Sequence, residues 1–532
     1  MVEILLKNNK GFKWLNNQDG ISFKGYFKTN NHFFNSNTSS YIGIEFKDRD
    51  AFLHFLKETN GCFSIVKEDE KYIFAAVDRV RSIPLFYSQK NNNFYLSDDA
   101  RWVRDKVNDQ HMDEVSKTEF MFTGYVTGRD TLYPNVKQLQ AGEYLIYDKE
   151  IKKLVTKRYF QFRHSDFYDA TIEELVNLLD QVHVNVFKRL IESLNGRTAV
   201  VPLSGGYDSR LIVVMLKRLG YENVICFTYG KEGNRESIIS KKVADSLGYK
   251  WIFVPYTKDR WRNWYSSLEK QEYFKYADGL SSLPHIQDFI AVSELKKQKL
   301  IPSNSVFIPG HTGDFVAGGH IPVNFINISE VKNNQLVREI VKKHYSLWSF
   351  KNLDDNLKLK FREKIFNIIP NRTTYSNEKA ADLFECWEWA ERQAKFICNS
   401  VRVYDFFDYE WRMPLWDNEI IEFWSKINII NRIGRKLYFE YVSNMQNEYK
   451  DIDISSPQIN TLKKRLITFI KKIPFLHSYL LKIRKINEYN THPLEWYGIV
   501  SRKYYNDQVK KGMENINSLL VVQYIKYINI ID

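Results

Sequence analysis

Residues 204–209 read SGGYDS and follow an apolar run at residues 200–203. Two adjacent glycines allow a tight turn whose backbone N–H groups approach an anion, and the helix that opens behind them adds unpaired N–H groups. The serine hydroxyls can donate to phosphate oxygens, and the Asp208 carboxylate can hold a magnesium ion that bridges them. The pattern is not that of the Walker loop, a phosphate-binding loop that reads GxxxxGK(S/T). It predicts a pyrophosphate-binding loop of enzymes that split ATP between the α- and β-phosphates to activate a carboxylate or amide.

A second turn, residues 309–314, carries further groups that could take part in chemistry. It reads PGHTGD and follows the apolar residues 305–308. If both apolar runs are strands of one sheet, Asp314 comes up opposite Asp208, and two carboxylates that face a triphosphate can share magnesium. The alternative is an Asp that caps the next helix beside packing glycines. His311 is either a general base near neutral pH or a structural residue of the turn.

The elements that must position these turns alternate between strand and helix. Thr171 and Glu174 form a capping box, and the apolar residues after it repeat at helical spacing through Leu190. Alternation of this kind implies a doubly wound parallel sheet, with ligands at the carboxyl ends of the strands. The predicted strands are residues 198–203, 224–229, 250–254 and 305–309, and the predicted helices between them end at Leu219 and cover residues 234–247.

The first 155 residues instead read as short alternating strands with few helices. Predicted strands lie at residues 62–66, 71–77, 85–88, 93–97 and 142–147, and consecutive asparagines at 91–93 mark a hairpin turn. The chain after the parallel sheet is mainly helical in pattern. We therefore predict an α+β domain over residues 1–155, and over residues 165–530 an α/β domain with a helical C-terminal lobe.

The composition is that of a folded globular protein of two or three domains. Its 532 residues are 44 % hydrophobic and 15 % aromatic. No run approaches the ~18 apolar residues that span a bilayer, and the N-terminus does not read as a signal peptide. The cysteines show no metal-binding spacing, which favours buried, reduced thiols in a cytoplasmic protein. They are Cys62, Cys226, Cys386 and Cys398.

Part of the net charge of +13 is concentrated in residues 461–486, where eight Lys or Arg and no acid interleave with apolar residues. Such a basic amphipathic stretch can rest weakly on an anionic membrane surface or bind an acidic polymer. The alternative is a packed helix pair with a solvated basic face. Because the excess is unevenly placed, the net charge does not indicate a nucleic-acid partner.

Together the two turns resemble the asparagine synthetase family, which carries SGGLDS and then GEGxDExxGG where this chain has SGGYDS and GHTGDFVAGG. Residues 410–417 look like the family's ExRxPFLD segment, and residues 434–437 look like the lysine-bearing helix after it. Residues 78–87 are similar to the DRFGxKPLYY strand of the family's glutaminase domain, and residues 127–133 to its TxxxTLF segment. The resemblance implies an α+β glutaminase-like domain of the Ntn hydrolase class, followed by an α/β ATP pyrophosphatase domain.

The resemblance also implies ATP and Mg²⁺ as cofactors. Asp208 and Asp314 would bind the metal, and His311, Asp314 and Lys436 would be the catalytic groups. The predicted nucleotide-binding residues are Leu203, Ser204, Gly205, Gly206, Asp208, Ser209, Tyr229, Pro309 and Gly310.

Departures from the family pattern bear on function. The family's glutaminase domain begins Met-Cys-Gly and uses the cysteine as its nucleophile, whereas Val2 stands here with no cysteine near it. The family's NGEIYN strand, which holds glutamine, reads FKGYF at residues 23–27, so we expect no intrinsic glutaminase activity. In the second turn, His311 and Phe315 replace two glutamates. Phenylalanine cannot pair an ammonium group, which disfavours aspartate as the substrate.

Three functions stay open. The first is an AMP-forming ligase that adenylates a small-molecule or glycan-linked carboxylate and joins it to ammonia or an amine. The lost acids and the basic segment favour an acidic sugar or glycan precursor, as in surface-polysaccharide pathways. The second function is asparagine synthesis from aspartate and ammonia, and the third is a nucleotide-binding regulator without catalysis. Nucleic-acid thiolation is disfavoured because no cysteine pair accompanies the loop, and a homodimer is compatible with the sequence.

Overall fold

The computed structural model describes residues 1–17, 20–29, 32–39, 46–350, 353–448 and 474–531. Its N-terminal part is rich in strands, and every strand predicted there is present with ends shifted by a few residues. The elements are β1 (Val2–Leu5), β2 (Leu15–Asn16), β3 (Ile21–Thr29), β4 (His32–Asn35), α1 (Arg49–Glu58), β5 (Asn60–Glu68), β6 (Tyr72–Val77), β7 (Phe86–Lys90), β8 (Asn93–Ser97), α2 (Ala100–Lys106), α3 (Glu114–Thr123), β9 (Lys137–Gln138), β10 (Glu143–Asp148) and β11 (Lys153–Arg158).

These strands form two sheets that pack face to face. One sheet has the order β1-β8-β7-β9, and the other has the order β11-β10-β6-β5-β3-β2 with β4 paired to β3. Side chains from both sheets, including Ile73, Leu96 and Leu145, are buried together and form the core between them. Helix α1 covers the other face of the larger sheet through Phe52 and Leu56.

The N-terminal part extends past residue 155 and is closely joined to the rest of the chain. Strand β11 pairs with β10 as far as Arg158. Helix α3 packs against two C-terminal helices, Asp355–Phe366 and Ile516–Ile531. An antiparallel bridge also joins Tyr125 to Ser282. The two domains are therefore in direct contact through both helix packing and backbone pairing.

A five-stranded parallel sheet with the order β14-β13-β12-β15-β18 lies at the centre of the second domain. The predicted parallel α/β sheet is thus confirmed, and β18 is an edge strand that the sequence did not predict. The elements are α4 (Ile172–Leu194), β12 (Ala199–Pro202), α5 (Tyr207–Arg218), β13 (Val224–Gly230), α6 (Arg235–Leu247), β14 (Lys250–Pro255), α7 (Lys258–Tyr265), α8 (Leu268–Ala277), α9 (Phe289–Lys297), β15 (Val306–Phe307) and β18 (Glu410–Trp411).

Local sequence explains where these helices begin and end. The predicted capping box of Thr171 and Glu174 opens α4. Asn234 caps α6, which ends at Gly248 in the left-handed conformation, with φ 72°. Helix α5 begins after Gly206, and no side chain among the described residues caps it. Its first N–H groups therefore remain available for an anion.

The remainder of the chain is mainly helical, as predicted. Its elements are α10 (Gly313–Val316), β16 (Glu330–Lys332), α11 (Asn333–His344), α12 (Asp355–Phe366), β17 (Thr374–Ser376), α13 (Asn377–Glu388), a π-helical stretch (Trp389–Ile397), α14 (Arg402–Phe406), α15 (Asn418–Ser425), α16 (Ile429–Arg432), α17 (Lys436–Glu448), α18 (Pro474–Thr491), α19 (Arg502–Lys510) and α20 (Ile516–Ile531). Residues 461–473 of the basic segment lie outside the described residues, so its contact with a membrane surface stays a prediction. Within the described part, no helix is both long and apolar enough to cross a bilayer.

Candidate active site

The first turn connects β12 to α5 at the carboxyl end of the parallel sheet, as predicted. The Ser204 N–H donates to Ser209 Oγ at 3.0 Å, and the two Oγ atoms lie 3.1 Å apart. The Gly206 N–H donates to Ser204 Oγ at 3.1 Å. The two serines therefore hold the shape of the turn through local side-chain to backbone bonds.

A carboxylate lies against this turn. The Gly205 N–H donates to the carboxylate of Glu236, an exposed residue in the first turn of α6. The Arg210 guanidinium donates to the carbonyls of Gly205 and Gly206 and so fixes their orientation. Glu236 thus stands where the loop would offer an N–H to a phosphate oxygen, and its exposure allows it to move away.

The second turn packs directly on the first. A Cβ atom on Gly310 would lie 2.8 Å from the backbone nitrogen of Ser209, and one on Gly313 would lie 2.8 Å from the Asp208 carboxylate. Only glycine permits so close an approach. The Asp314 backbone also donates a hydrogen bond to the Asp208 carboxylate. The turns meet because β12 and β15 are neighbours in the sheet, as the sequence predicted.

The surroundings of the Asp208 carboxylate disfavour its charge. Burial and the negative charge of Asp314 raise the pKa of Asp208 from 3.8 to about 6. The Tyr438 hydroxyl, which donates to Asp208 at 2.9 Å, and the charge of Arg435 act in the opposite direction without overcoming these effects. A divalent cation would favour the ionised form, because it offsets both the burial and the repulsion.

Asp314 has partners that the sequence analysis missed. His320 Nε2 lies 3.0 Å from Asp314 Oδ2, and the other ring nitrogen contacts the buried Glu388. Burial opposes the effect, but the hydrogen bond and charge of His320 lower the pKa of Asp314. The Asp314 side chain is still 46 % exposed, so a metal ion can reach it. The one available signal was a histidine placed directly after the paired glycines.

The oxygen ligands where the two turns meet fit a Mg²⁺ ion that is bound together with a polyphosphate. The two carboxylates, Asp208 and Asp314, offer the oxygen ligands that Mg²⁺ prefers. In the described part of the chain, no three His, Cys, Asp or Glu side chains gather as a metal site, so phosphate and water oxygens would have to complete the coordination. The buried Thr312 hydroxyl in the same turn finds no hydrogen-bond partner among the described residues and is a further candidate donor.

His311 is half-buried beside Ser400. The Ser400 Oγ lies 3.2 Å from His311 Nε2 and 3.3 Å from Nδ1. Burial is the main reason that the pKa of His311 falls to about 4, so the ring is uncharged at neutral pH. This lowered pKa disfavours a base tuned near neutral pH, and a catalytic role for His311 stays a prediction. The ring is a weak base and a neutral hydrogen-bonding group.

Three of the predicted nucleotide-binding residues lie at or near the carboxyl ends of strands in the parallel sheet. Leu203 and Pro309 are buried beside the two turns. Tyr229 is near the end of β13, where its hydroxyl donates to Asp288 at 2.5 Å and accepts from Gln287 Nε2 at 3.0 Å. These contacts fix the tyrosine ring at the carboxyl edge of the sheet. Contact between these three residues and a nucleotide stays a prediction.

Arg435, the residue before the predicted Lys436, is a cation whose charge acts on both aspartates. The positive charge of Arg435 lowers the pKa of both Asp208 and Asp314. Its guanidinium lies 4.6 Å from the centroid of the Phe439 ring. Lys436 begins α17, and its side chain is exposed. A catalytic role for Lys436 stays a prediction, and Arg435 is the functional candidate that the sequence analysis missed.

Phe315 belongs to the core. Its side chain is 0 % exposed, and its ring centroid lies 5.6 Å from that of Phe162 and 6.1 Å from that of Trp416. Because Phe315 stands where the family pattern has a glutamate, the turn lacks a carboxylate at this position.

The four cysteines are buried and form no disulfide with one another, as predicted. Burial raises the pKa of Cys226 to about 12 and, with the nearby Asp382, the pKa of Cys386 to about 11. Burial likewise raises the pKa of Cys62 and Cys398. All four thiols are therefore protonated near neutral pH.

Two family models match the chain in sequence order. One, described as a glutamine amidotransferase domain, matches residues 22–160, and the other, described as asparagine synthase, matches residues 195–437. Asparagine synthetase (glutamine-hydrolyzing) 1 of Bacillus subtilis (strain 168) is 21 % identical over 329 residues, which are 59 % of this chain and 47 % of that protein. A probable asparagine synthetase (glutamine-hydrolyzing) of Acanthamoeba polyphaga mimivirus is 31 % identical over 105 residues, 19 % of each chain.

The chain spans less than half of the length of either relative. A solved NH3-dependent NAD synthetase from Campylobacter jejuni subsp. jejuni NCTC 11168 aligns with 38 % of this chain and 99 % of its own, at 15 % identity and a TM-score of 0.19, too low to support any argument about the fold. The two family models together cover more than half of the chain, and both relatives are named as asparagine synthetases or probable asparagine synthetases. The chain therefore belongs to the asparagine synthetase family.

Proposed function

We propose that the protein is an ATP-dependent ligase that adenylates a carboxylate, releases pyrophosphate and joins the carboxyl group to ammonia or an amine. The observation that carries this proposal is the meeting of Asp208 and Asp314 between the two turns. The raised pKa of Asp208 supports it, because a cation would relieve the unfavourable charge. Membership of the asparagine synthetase family supports the same reaction class.

In this proposal each group has a separate task. When bound, Mg²⁺ would neutralise charge on the phosphates and on the departing pyrophosphate. The N–H of Gly205 and the first N–H groups of α5 would bind phosphate oxygens after Glu236 moves away. Arg435 would balance the charge gathered around the two aspartates. His311 stays neutral and would orient a polar group of the substrate.

We propose that nitrogen arrives as ammonia or an amine, without glutamine hydrolysis by any cysteine of this sequence. The buried thiols support this, because a nucleophilic cysteine needs an accessible thiolate. For the acceptor we propose an acid without an α-ammonium group, such as an acidic sugar or glycan precursor. In the second turn, His311 and Phe315 offer no carboxylate to pair that ammonium group.

The test measures AMP and pyrophosphate release from ATP, Mg²⁺ and ammonium chloride with a panel of acids that includes aspartate and a uronic acid. We expect equal amounts of both products with at least one acid other than aspartate. Asp314→Asn should lower the rate by about 10²–10³-fold. The matched control, Asp259→Asn, changes an exposed aspartate on α7 and should have no effect. Wild-type rates in Asp314→Asn would place the site elsewhere, and efficient asparagine formation would favour the standard family reaction.

A second candidate is a nucleotide-binding protein without catalysis. Two contacts favour this candidate. Glu236 accepts a hydrogen bond from the Gly205 N–H, and His320 is hydrogen-bonded to Asp314, so groups proposed to bind phosphate and metal already have protein partners. Calorimetry with ATP and Mg²⁺ separates the two candidates. Binding without AMP formation across the whole panel would favour the second, and turnover with any acid would exclude it.

A further inference from the structure

A buried arginine occupies a backbone conformation that suits glycine. Arg81, in the turn between β6 and β7, is 3 % exposed and has φ 55°. Left-handed backbone is unfavourable for a side chain with a Cβ atom, and it persists only where the surrounding structure holds it. In the family strand that residues 78–87 resemble, glycine stands at this place. The proposed ligase activity does not explain why a charged side chain is buried at position 81 in an unfavourable backbone conformation.

The Arg81 side chain lines a polar cavity between the two domains. The cavity is bounded on its other side by residues of the second domain, among them Ser281 and Arg402. Arg402 is 4 % exposed and lies 2.9 Å from Asp405 through Nη1. In the described part of the chain, the buried Arg402 Nε and Ser281 Oγ have no hydrogen-bond partner. Donors from both domains therefore line one cavity.

The acids around this cavity do not neutralise Arg81. Its Nε donates to the Leu139 carbonyl at 3.0 Å, and no carboxylate of a described residue lies within ion-pair distance of its guanidinium. Asp278 instead accepts two hydrogen bonds from Arg101, at 2.7 and 2.8 Å. Asp98 accepts from two backbone N–H groups at 3.0 Å and from an indole N–H at 2.7 Å. Burial and the charge of Arg402 lower the pKa of Arg81 to about 9, although the negative charges of Glu391 and Asp78 act in the opposite direction.

We propose that this cavity binds a small oxyanion, a carboxylate or a phosphate, between Arg81 of the first domain and Arg402 and Ser281 of the second. Guanidinium and hydroxyl donors match the geometry of an oxyanion, and a desolvated site strengthens such charge-assisted bonds. Because its partners come from both domains, the bound anion would also hold the domains together. The site is separate from the two turns and does not depend on the proposed ligase activity.

The experiment titrates the full chain with sodium acetate and with sodium phosphate and follows the Tm, using sodium chloride at matched ionic strength as the reference. We expect at least one oxyanion to raise the Tm by about 1–3 °C at saturation, as ligand linkage predicts. Arg81→Gly should fold, because glycine adopts φ 55° easily, and it should lose this response. Asn92→Gly is the matched control. It relieves the same kind of conformation, φ 62°, in the turn between β7 and β8 and should keep the response.

Phosphate can also bind the turn at residues 204–209, so the titrations are repeated in a Ser209→Ala background. A response that Ser209→Ala removes and Arg81→Gly keeps would belong to that turn and would overturn the proposal. No response beyond that of chloride in the unmodified protein would also overturn it. If Arg81→Gly does not fold, Ser281→Ala retains every charge and should weaken oxyanion binding by about five- to tenfold. Unchanged affinity in Ser281→Ala would then contradict the proposed site.

Discussion

Replacing Asp208 with asparagine should stabilise the ligand-free protein. The variant removes a charge that burial and Asp314 disfavour, as the pKa of about 6 indicates. A rise of about two pH units above 3.8 corresponds to about 3 kcal/mol against folding at pH 7.5. Asparagine offers only one acceptor oxygen for the two hydrogen bonds that Asp208 now accepts, from Tyr438 and from the backbone of Asp314. Weaker hydrogen bonding would cost about 1 kcal/mol of the stability gained by removing the charge. We expect a net gain of about 2 kcal/mol.

The pH dependence of this gain has a definite sign. Because the folded-state pKa of Asp208 is raised, its contribution to stability is fully present below about pH 4 and is lost as the pH rises through about 6. The advantage of Asp208→Asn should therefore develop between about pH 4 and 7 and vanish at the lower end. Urea unfolding at pH 4.5, 6 and 7.5 measures it. ATP with Mg²⁺ should stabilise the wild type more than the variant, because metal binding requires the charge.

Asp314→Asn is the matched control with the opposite expected sign. The hydrogen bond and charge of His320 lower the pKa of Asp314, so ionised Asp314 favours folding above its unfolded pKa near 3.9. Neutralising it should destabilise the protein at pH 7.5, whereas both variants should lose pyrophosphate release by about 10²–10³-fold. An Asp208→Asn protein less stable than the wild type at pH 7.5 would refute the reasoning. So would equal changes of stability in the two variants.

Three further outcomes are expected. Arg435→Gln should lower pyrophosphate release by at least about tenfold, whereas Lys436→Gln should stay within about twofold, and the reverse order would restore Lys436 as the catalytic cation. Phe315→Glu should destabilise the fold by about 3 kcal/mol or more, because it buries a carboxylate among aromatic rings, and an unchanged urea midpoint would contradict that burial. Glutamine with ATP and Mg²⁺ should release no glutamate above background, and steady release in a purified sample would show a working glutaminase.

Much of the second domain could be predicted because its signals are local. The capping box of Thr171 and Glu174 involves residues only three positions apart, and it is present as predicted. The helix predicted over residues 234–247 is also present, with Asn234 as its cap. The apolar runs before the two turns form strands β12 and β15. Because the carboxyl ends of parallel strands lie at the same edge of a sheet, Asp208 and Asp314 were expected to lie together. Strand positions in the N-terminal part were predicted for the same reason. Their pairing into two sheets was not, because pairing depends on residues far apart in the chain.

The sequence by itself determined the two turns, the one carboxylate that each contributes to the site, and the strands that carry them. Tertiary structure decided which groups complete the site. His320 contacts Asp314 and Glu388, and the charge of Arg435 acts on Asp314, because the chain segments that carry these groups pack beside the carboxyl edge of the sheet. It also decided the charge states, since the pKa of His311 falls to about 4 through burial. Spacing along a chain records which groups are present, whereas burial and the neighbours that determine their chemistry exist only after folding.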